Sequence, residues 1–440
     1  MSLRLVSKMP LGISDILRSV VQPLPAIESS SFGANFDVFG SSRLVLVGDG
    51  SHGTSEFYRA RAAITKRLIE EHGFNIVAIE ADWPDARLID HYVRQHPRRS
   101  RDEPIRVFDH FPRWMWRNSE VQDFVDWLRK HNAGLPMNQR TSFNGLDLYS
   151  MSASTKAVVE YLERVDPELA KAARKRYGCL EPWLEDPAEY GRASFRTNSA
   201  KCEPGVLKML QQLLNKRMEL ASHPEDGDAF LDAEINARVV RDSERYYRAM
   251  FHGDKTSWNL RDGHMFTVLS RLLKLRPGSK AVVWAHNSHV GDARGSSMGT
   301  VRGEINLGQL CRENFPGEVS VIGCGTHTGT VAAADEWDEP MQVIDVMPSR
   351  SDSYERIMHD TGVPSFMVDL RGMKMEPRLQ RFIGVIYMPA TERWSHYIKT
   401  TLPEQYDAFV WFDETKAVDA FEISQPQESL SKGETYPFGV

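Results

Sequence analysis

Residues 45–69 read VLVGDGSHGTSEFYRARAAITKRLI. An apolar run ends in Gly48-Asp49-Gly50-Ser51-His52-Gly53, and a helical pattern starts at once. RLVLVG (43–48) is a short, continuous aliphatic run, the signature of a strand buried on both faces. From 55 to 72, Phe57, Ala60, Ile64 and Leu68 fall on one stripe of a helix. NIVAIE (75–80) supplies the next strand, so the stretch opens a strand–helix–strand unit with a right-handed crossover.

The alternation continues outward. PDARLIDHYVR (84–94) and residues 116–131 read as helices, and SFNGLD (142–147) as a strand. Between 151 and 276 only helical periodicity is found, clearest in YLERVDPELAKAARKRY, VLKMLQQLLNKRMELA and 227–252. Strands resume at KAVVWA (280–285), VSVIGC (319–324), SFMVDL (365–370), FIGVIYM (382–388) and AFVWFD (408–413). The expected fold is α/β, with a mostly parallel central sheet flanked by helices and a large helical insertion or cap. The expected divisions are an N-terminal segment (1–40), a first α/β part (41–150), the helical insertion (151–276), a second α/β part (277–425) and a tail (426–440).

A net charge of -6 with both signs interspersed argues against nucleic acid as a partner. No apolar run approaches the ~20 residues of a membrane span. Cys179, Cys202, Cys311 and Cys324 show no CxxC pairing, which makes a disulfide scaffold or zinc ribbon an unfavoured reading and a reducing, cytoplasmic setting the default. The first 21 residues lack the apolar core and cleavage site of a secretory signal and leave room only for a weak organellar one. Oligomeric state is not legible.

Ligands of open parallel sheets bind beyond the carboxyl ends of the strands. The residues found there are Asp49 and His52; Glu80 and Asp82; Asp147 and Tyr149; His286 and His289; Thr326 and His327; and, after 382–388, Glu392, Arg393 and His396. Titratable groups after so many strands point to one edge carrying a site. Arg61 falls inside the stripe of Phe57, Ala60, Ile64 and Leu68, so it faces inward and needs a carboxylate, Asp49 or Glu80. A structural ion pair is the plainer reading of the same placement.

His52, at a glycine-rich corner leading into a helix, is suited to act as a base near neutral pH, with Asp49 orienting its ring. Taken alone it reads more readily as a helix-capping residue, and the balance shifts once His286 and His289 are counted on the same edge. In WAHNSHVGDARG, His286 and His289 read as metal ligands, as oxyanion donors or as packed loop residues. A zinc-type set of His52, Glu80, His286 and His289 is chemically open, as is a metal-free site in which one His takes a proton from water. There is no G-x-S-x-G elbow, no P-loop and no GxGxxG after a strand. WMWRN (114–118), with Trp116, and SWNLRD (257–262) read as pocket walls or, more plainly, as helix packing.

GDGSHGTSEFYRAR, GFNIVAIEAD and WAHNSHVGD together resemble the erythromycin esterase family. WMWRNSEVQDFVDWLR, FNGLDLYS, NLRDGHM, GQLCRENFP with VIGCGTHTGTVAAADEWD, and IGVIYMPATERWSHY extend the resemblance from about residue 40 to the C-terminus. It implies an α/β fold with a helical portion and a deep cleft, and ester hydrolysis that opens macrolactone rings. The family's general base falls on His52, its acidic companion on Asp49, its Arg on Arg61, its strand-end Glu on Glu80 and its HxxH pair on His286 and His289. Members usually carry Glu where this chain has Asp49, one methylene shorter.

The resulting expectation is a cytoplasmic hydrolase of an ester or lactone in a bulky natural product such as a polyketide, with no cofactor. His52 activates water, Asp49 and Glu80 orient His52, the water or Arg61, and Arg61, His286 and His289 stabilise the oxyanion or donate to the leaving alkoxide. Asp147, Arg261, Trp116, Glu392 and His396 are expected to contact substrate. The alternatives are a zinc-dependent hydrolase built on the same histidines and a family member that binds or rearranges a metabolite without hydrolysis.

Overall fold

The computed structural model describes residues 13–96, 107–108, 112–197, 202–216, 227–251 and 255–421. The strands are β1 (Gln22–Pro23), β2 (Leu44–Val47), β3 (Ile76–Asp82), β4 (Ser142–Asp147), β5 (Ala281–Trp284), β6 (Val319–Ala333), β7 (Gln342–Val346), β8 (Ser365–Asp369), β9 (Arg378–Arg381), β10 (Tyr397–Thr400) and β11 (Ala408–Thr415). Nine of them form one sheet in the order β1-β8-β11-β6-β2-β5-β3-β4, with β7 on β6. Pairing from β11 through β4 is parallel, and the β1, β7 and β8 pairings are antiparallel.

The quoted stretch occupies the middle of this sheet. Along β2, Val45 and Val47 pack on one side with Phe57, Ile64, Leu68 and Trp284, while Leu44 and Leu46 pack on the other with Ile76, Val283, Val321 and Leu269. Every side chain of the strand is buried, as expected where helices cover both faces. Val47 pairs with Trp284 and with Ile322, and Ile79 with Trp284. The strand ends are therefore level, and the order β4-β3-β5-β2 sets Asp147, Glu80, His286 and Asp49 side by side along one edge.

Both α/β segments contribute to this one sheet, because β2 inserts between β5 and β6. The region between β4 and β5 is helical, with helices over 151–165, 167–177, 187–197, 203–215, 227–250 and 256–275. Helix 227–250 joins two cores. Leu231, Ile235 and Val239 pack toward the sheet, while Phe230, Ala233, Ala237 and Val240 pack into a separate helical cluster with Tyr161, Leu162 and Met209. Helix 256–275 covers the sheet directly through Met265, Val268, Leu269 and Leu272. Cys179 and Cys202 are paired within the helical region, their Cα atoms 5.7 Å apart, a pairing that no motif spacing pointed to. Among the described residues no helix is long and apolar enough to cross a membrane. Residues 1–12 of the N-terminal signal reading and the tail from 426 lie outside the described residues, and Ile13–Val20 is a short helix.

Six strand assignments differ from the sequence expectation: 382–388, the extent of β6, and the added β1, β7, β9 and β10. FIGVIYM (382–388) is not a strand. The chain pairs just before it, as β9 with β10 in a separate two-stranded sheet, and 382–388 then runs beneath the main sheet's loops. Phe382, Ile383, Val385, Ile386 and Tyr387 are buried there, and an apolar run reports burial before it reports conformation. β6 continues well past Cys324 to Ala333, because its far half pairs with β7 and β11. β7 (QVIDV) went unread because most of its side chains are solvent-facing and show no clean alternation.

Gly53 closes the corner. Its φ is +69°, and a Cβ there would lie 2.2 Å from the Ala332 carbonyl oxygen, while the Gly53 carbonyl accepts from Ala332 N and Val418 N. Gly53→Ala is expected to cost on the order of 2–4 kcal/mol, read from the urea midpoint, because strain and a backbone clash coincide. Gly73, the left-handed cap of helix 55–72, has φ +72° with nothing near its Cβ position, and Gly73→Ala should cost only about 1 kcal/mol.

Candidate active site

The His52 corner is held from two sides. His52 N donates to Ile383 O (3.0 Å) and Ile383 N to Gly50 O (2.9 Å), so the 382–388 segment clamps the loop. Asn287 N donates to Asp49 O (2.8 Å), tying the corner to the loop after β5. Within the corner, His52 Nδ1 lies 3.2 Å from Asp49 Oδ2, the same oxygen that accepts from Arg61 Nη2 at 3.0 Å.

Arg61 is fully buried, with its guanidinium over the Tyr58 ring (4.4 Å) and near the Trp284 ring (5.5 Å). The helix phase placed it correctly, and of the two candidate carboxylates it takes Asp49. Burial raises the Asp49 carboxyl, but Arg61 and His52 outweigh it and leave it below the usual carboxylate range.

Glu80 stands at the centre. Its Oε1 lies 2.6 Å from Arg261 Nη2, 3.3 Å from His289 Nε2 and 4.0 Å from His52 Nε2. Its Oε2 accepts from the backbone N of His286 at 2.8 Å. Burial pushes this carboxyl up, but the charges of His289 and Arg261 pull it well below its ordinary value. Arg261 makes a bidentate pair with Asp147 (Nε to Oδ1 3.0 Å, Nη2 to Oδ2 2.7 Å) and lies over the Tyr149 ring at 5.1 Å. Asp82, opposite Asp147 on β3, accepts from Tyr149 N and Ser150 N and is raised well above its ordinary value by burial and by Asp147.

The two loop histidines are in opposite states. His286 Nδ1 accepts from Ser288 N (3.3 Å) and lies 2.8 Å from Ser288 Oγ, which leaves Nε2 to carry the proton with no hydrogen-bond partner. Its ring centroid is 4.8 Å from that of His52, and burial, with His52 second, lowers its pKa to about 3. His289 is gripped by helix 256–275: Asp262 meets Nδ1 at 2.9 Å, Arg261 Nη1 stands 3.0 Å from Nε2, and Trp258 stacks on the ring at 4.6 Å and 5°. Burial alone would lower it, but Asp262 and Glu80 raise its pKa to about 9.

The expected site residues therefore divide. Asp49, His52, Arg61, Glu80, Asp147, Arg261, His286 and His289 form one contiguous network. Trp116 is adjacent, donating its indole N–H to Glu80 O at 3.1 Å. Glu392 pairs with Arg381 at 2.8 Å, and His396 Nδ1 lies 3.2 Å from Phe382 O, so both join the network only through the 382–388 segment. Asp262 and Ser288, which set the states of the two histidines, were not singled out; both are immediate neighbours of residues that were, inside NLRDGHM and WAHNSHVGD.

His289 gives a stability test. Its folded pKa is raised above the unfolded value of ~6.5, so its contribution is complete below about pH 6.5 and is lost as pH rises through about 9. Unfolding free energy should fall by roughly 2–3 kcal/mol across that window, and Asp262→Asn should flatten the slope in urea titrations.

The erythromycin esterase family model matches residues 69–415, a span that includes Glu80, Arg261, His286 and His289 and begins after the Asp49–His52 corner. YbfO of Bacillus subtilis (strain 168), provisionally named a hydrolase, is 22% identical over 89% of this chain and 88% of its own. Erythromycin esterase type I of Escherichia coli is 21% identical over 89% of this chain and 95% of its own. Among solved structures, a Bacillus cereus protein superposes with TM-score 0.79 at 18% identity, covering 94% of this chain and 100% of that one. The erythromycin esterase mutant EreC in its open conformation superposes with TM-score 0.69 at 18% identity, covering 92% and 99%. With its fold and most of its length accounted for in this way, the chain belongs to the erythromycin esterase family, a family of hydrolases.

Proposed function

We propose that the protein hydrolyses an ester or lactone bond, with water as nucleophile, His52 as general base and no metal. The observation that carries this reading is the orientation of His52. Asp49, ionised and paired with Arg61, accepts from Nδ1, so the lone pair is on Nε2, which faces Glu80 Oε1 across 4.0 Å. A water oxygen beside this pair, off the line joining the two atoms, can reach hydrogen-bond distance of both. Attack on the ester carbonyl transfers the water proton to His52 Nε2, a step worth ~10²–10⁴-fold. The unpartnered Nε2–H of His286 is the donor for the developing oxyanion, and being neutral it does not compete with His52 for the proton. Collapse expels the alkoxide, and the His289 imidazolium is the proton reserve beside Glu80 for it. Arg61 acts through Asp49, and Arg261 keeps Glu80 ionised and fixed.

The donor set does not suit zinc. Arg261 already places a cation on Glu80 Oε1, both His289 nitrogens face charged partners, and His286 Nδ1 is committed to Ser288. Two imidazole nitrogens then remain, fewer than the three protein ligands of a catalytic zinc site. Among the described residues no group of three or more His, Cys, Asp or Glu is arranged to hold a metal ion.

The likeness to the erythromycin esterases of Escherichia coli supports a bulky natural product, such as a polyketide lactone, as substrate. A small-molecule partner completes the proposal, and the Cys179–Cys202 pair weighs against the reducing, cytoplasmic setting expected from the cysteine spacing. His52→Ala should abolish turnover with an unchanged circular dichroism spectrum; a variant keeping a tenth of wild-type activity removes His52 from the base role. EDTA should leave kcat within error of the untreated enzyme, whereas activity lost to EDTA and restored by Zn²⁺ would make the histidines ligands.

A further inference from the structure

Four apolar side chains from separate parts of the fold meet beside the two loop histidines. They are Trp258 of helix 256–275, Met298 of the short helix Ser297–Thr300, Phe382 after β9 and Ile398 of β10. They form their own cluster, distinct from the cores on the two faces of the sheet. Trp258 lies flat on His289, and Phe382 meets His286 edge-on with centroids 5.9 Å apart. The cluster thus walls the site on the side of the proposed oxyanion donor and proton reserve.

Stacking on the His289 ring favours a tryptophan at 258 but leaves its indole N–H unaccounted for. Trp258 is 94% buried (6% exposed), and its indole N–H has no hydrogen-bond partner. Leaving a buried donor unmade is unfavourable, and Phe would stack on the same ring without that cost. A buried donor set among apolar groups beside a reaction centre is the arrangement of a ligand site, where one polar group orients a mostly apolar molecule. We infer that Trp258, Met298, Phe382 and Ile398 form the substrate subsite next to the scissile bond. It takes an apolar acyl or ring portion, one of whose oxygens accepts from the Trp258 indole N–H. The subsite is occupied by its own side chains in this conformation, and Met298, with its flexible thioether chain, is the member that yields on binding. The inference rests on the ester-hydrolase reading of the adjoining site.

The test is made on the full-length His52→Ala protein, so that bound esters persist. The probes are erythromycin and the p-nitrophenyl esters of acetate, hexanoate and decanoate. The Trp258 indole N–H resonance, assigned by its loss in Trp258→Phe, is followed during titration. A saturable shift is expected with the hexanoyl, decanoyl or macrolide probe and not with acetate. Trp258→Phe should weaken that probe by roughly 3- to 10-fold, the loss of one neutral hydrogen bond. Met298→Ala should change the preferred acyl length. An unmoved indole resonance, absence of binding by every probe, or unchanged affinities in both variants would overturn the subsite. Wild-type turnover of the same probes is measured separately: binding with the indole shift but without hydrolysis would remove the hydrolase reading and leave the subsite standing.

Discussion

The buried carboxylate of Glu80 is the constraint on which the rest of the site depends. One of its oxygens is shared by Arg261 and His289 and faces His52, and the other is tied to the backbone of His286. A carboxylate this deep is tolerated only when fully paired, and removing one partner of such a pair typically costs 3–5 kcal/mol. The pairing reaches outward. Arg261 must hold Asp147, Asp262 must hold His289, and both Arg261 and Asp262 come from the first half of one helix. The chain thus spends its electrostatics on fixing Glu80 opposite His52, with Oε1 4.0 Å from His52 Nε2. It also sets two histidines three residues apart in opposite protonation states, one by burial beside the His52 ring, the other by two carboxylates.

Asp49 fits the same scheme. The carboxylate is short, buried and shared between His52 and Arg61. Its position two residues past β2 lets it reach the imidazole from the strand end. Under the proposed mechanism, the one-methylene difference from the Glu expected from the family resemblance falls on the residue that orients the base, and Glu80 is the carboxylate beside the water.

Much of this was legible because period and position carry it. The buried run of β2, the stripe of helix 55–72 and the strand-end placement of Asp49, Glu80, Asp147 and His286 follow from side-chain periodicity and parallel topology. The inward turn of Arg61 followed from helix phase. Pairing was less legible: nothing in sequence spacing says that Arg261 spans Glu80 and Asp147, or that Asp262 charges His289, since helix 256–275 meets the sheet only in three dimensions. The 382–388 segment misled for a related reason. It is apolar because it lies under the His52 corner and clamps it, and burial without sheet pairing looks the same in a sequence as a strand.

The central claim is that water, activated between His52 and Glu80, is the nucleophile. The most direct measurement is mass spectrometry of macrolactones, polyketide esters and aryl esters turned over in ¹⁸O-labelled water. The account predicts that a macrolactone gains one water in its ring-opened acid and that an open-chain ester splits into acid and alcohol whose masses sum to ester plus water, with a single ¹⁸O in the new carboxylate in the first turnover and no label in the protein. Products of unchanged mass, or ¹⁸O appearing in the peptide that contains Glu80, would contradict it.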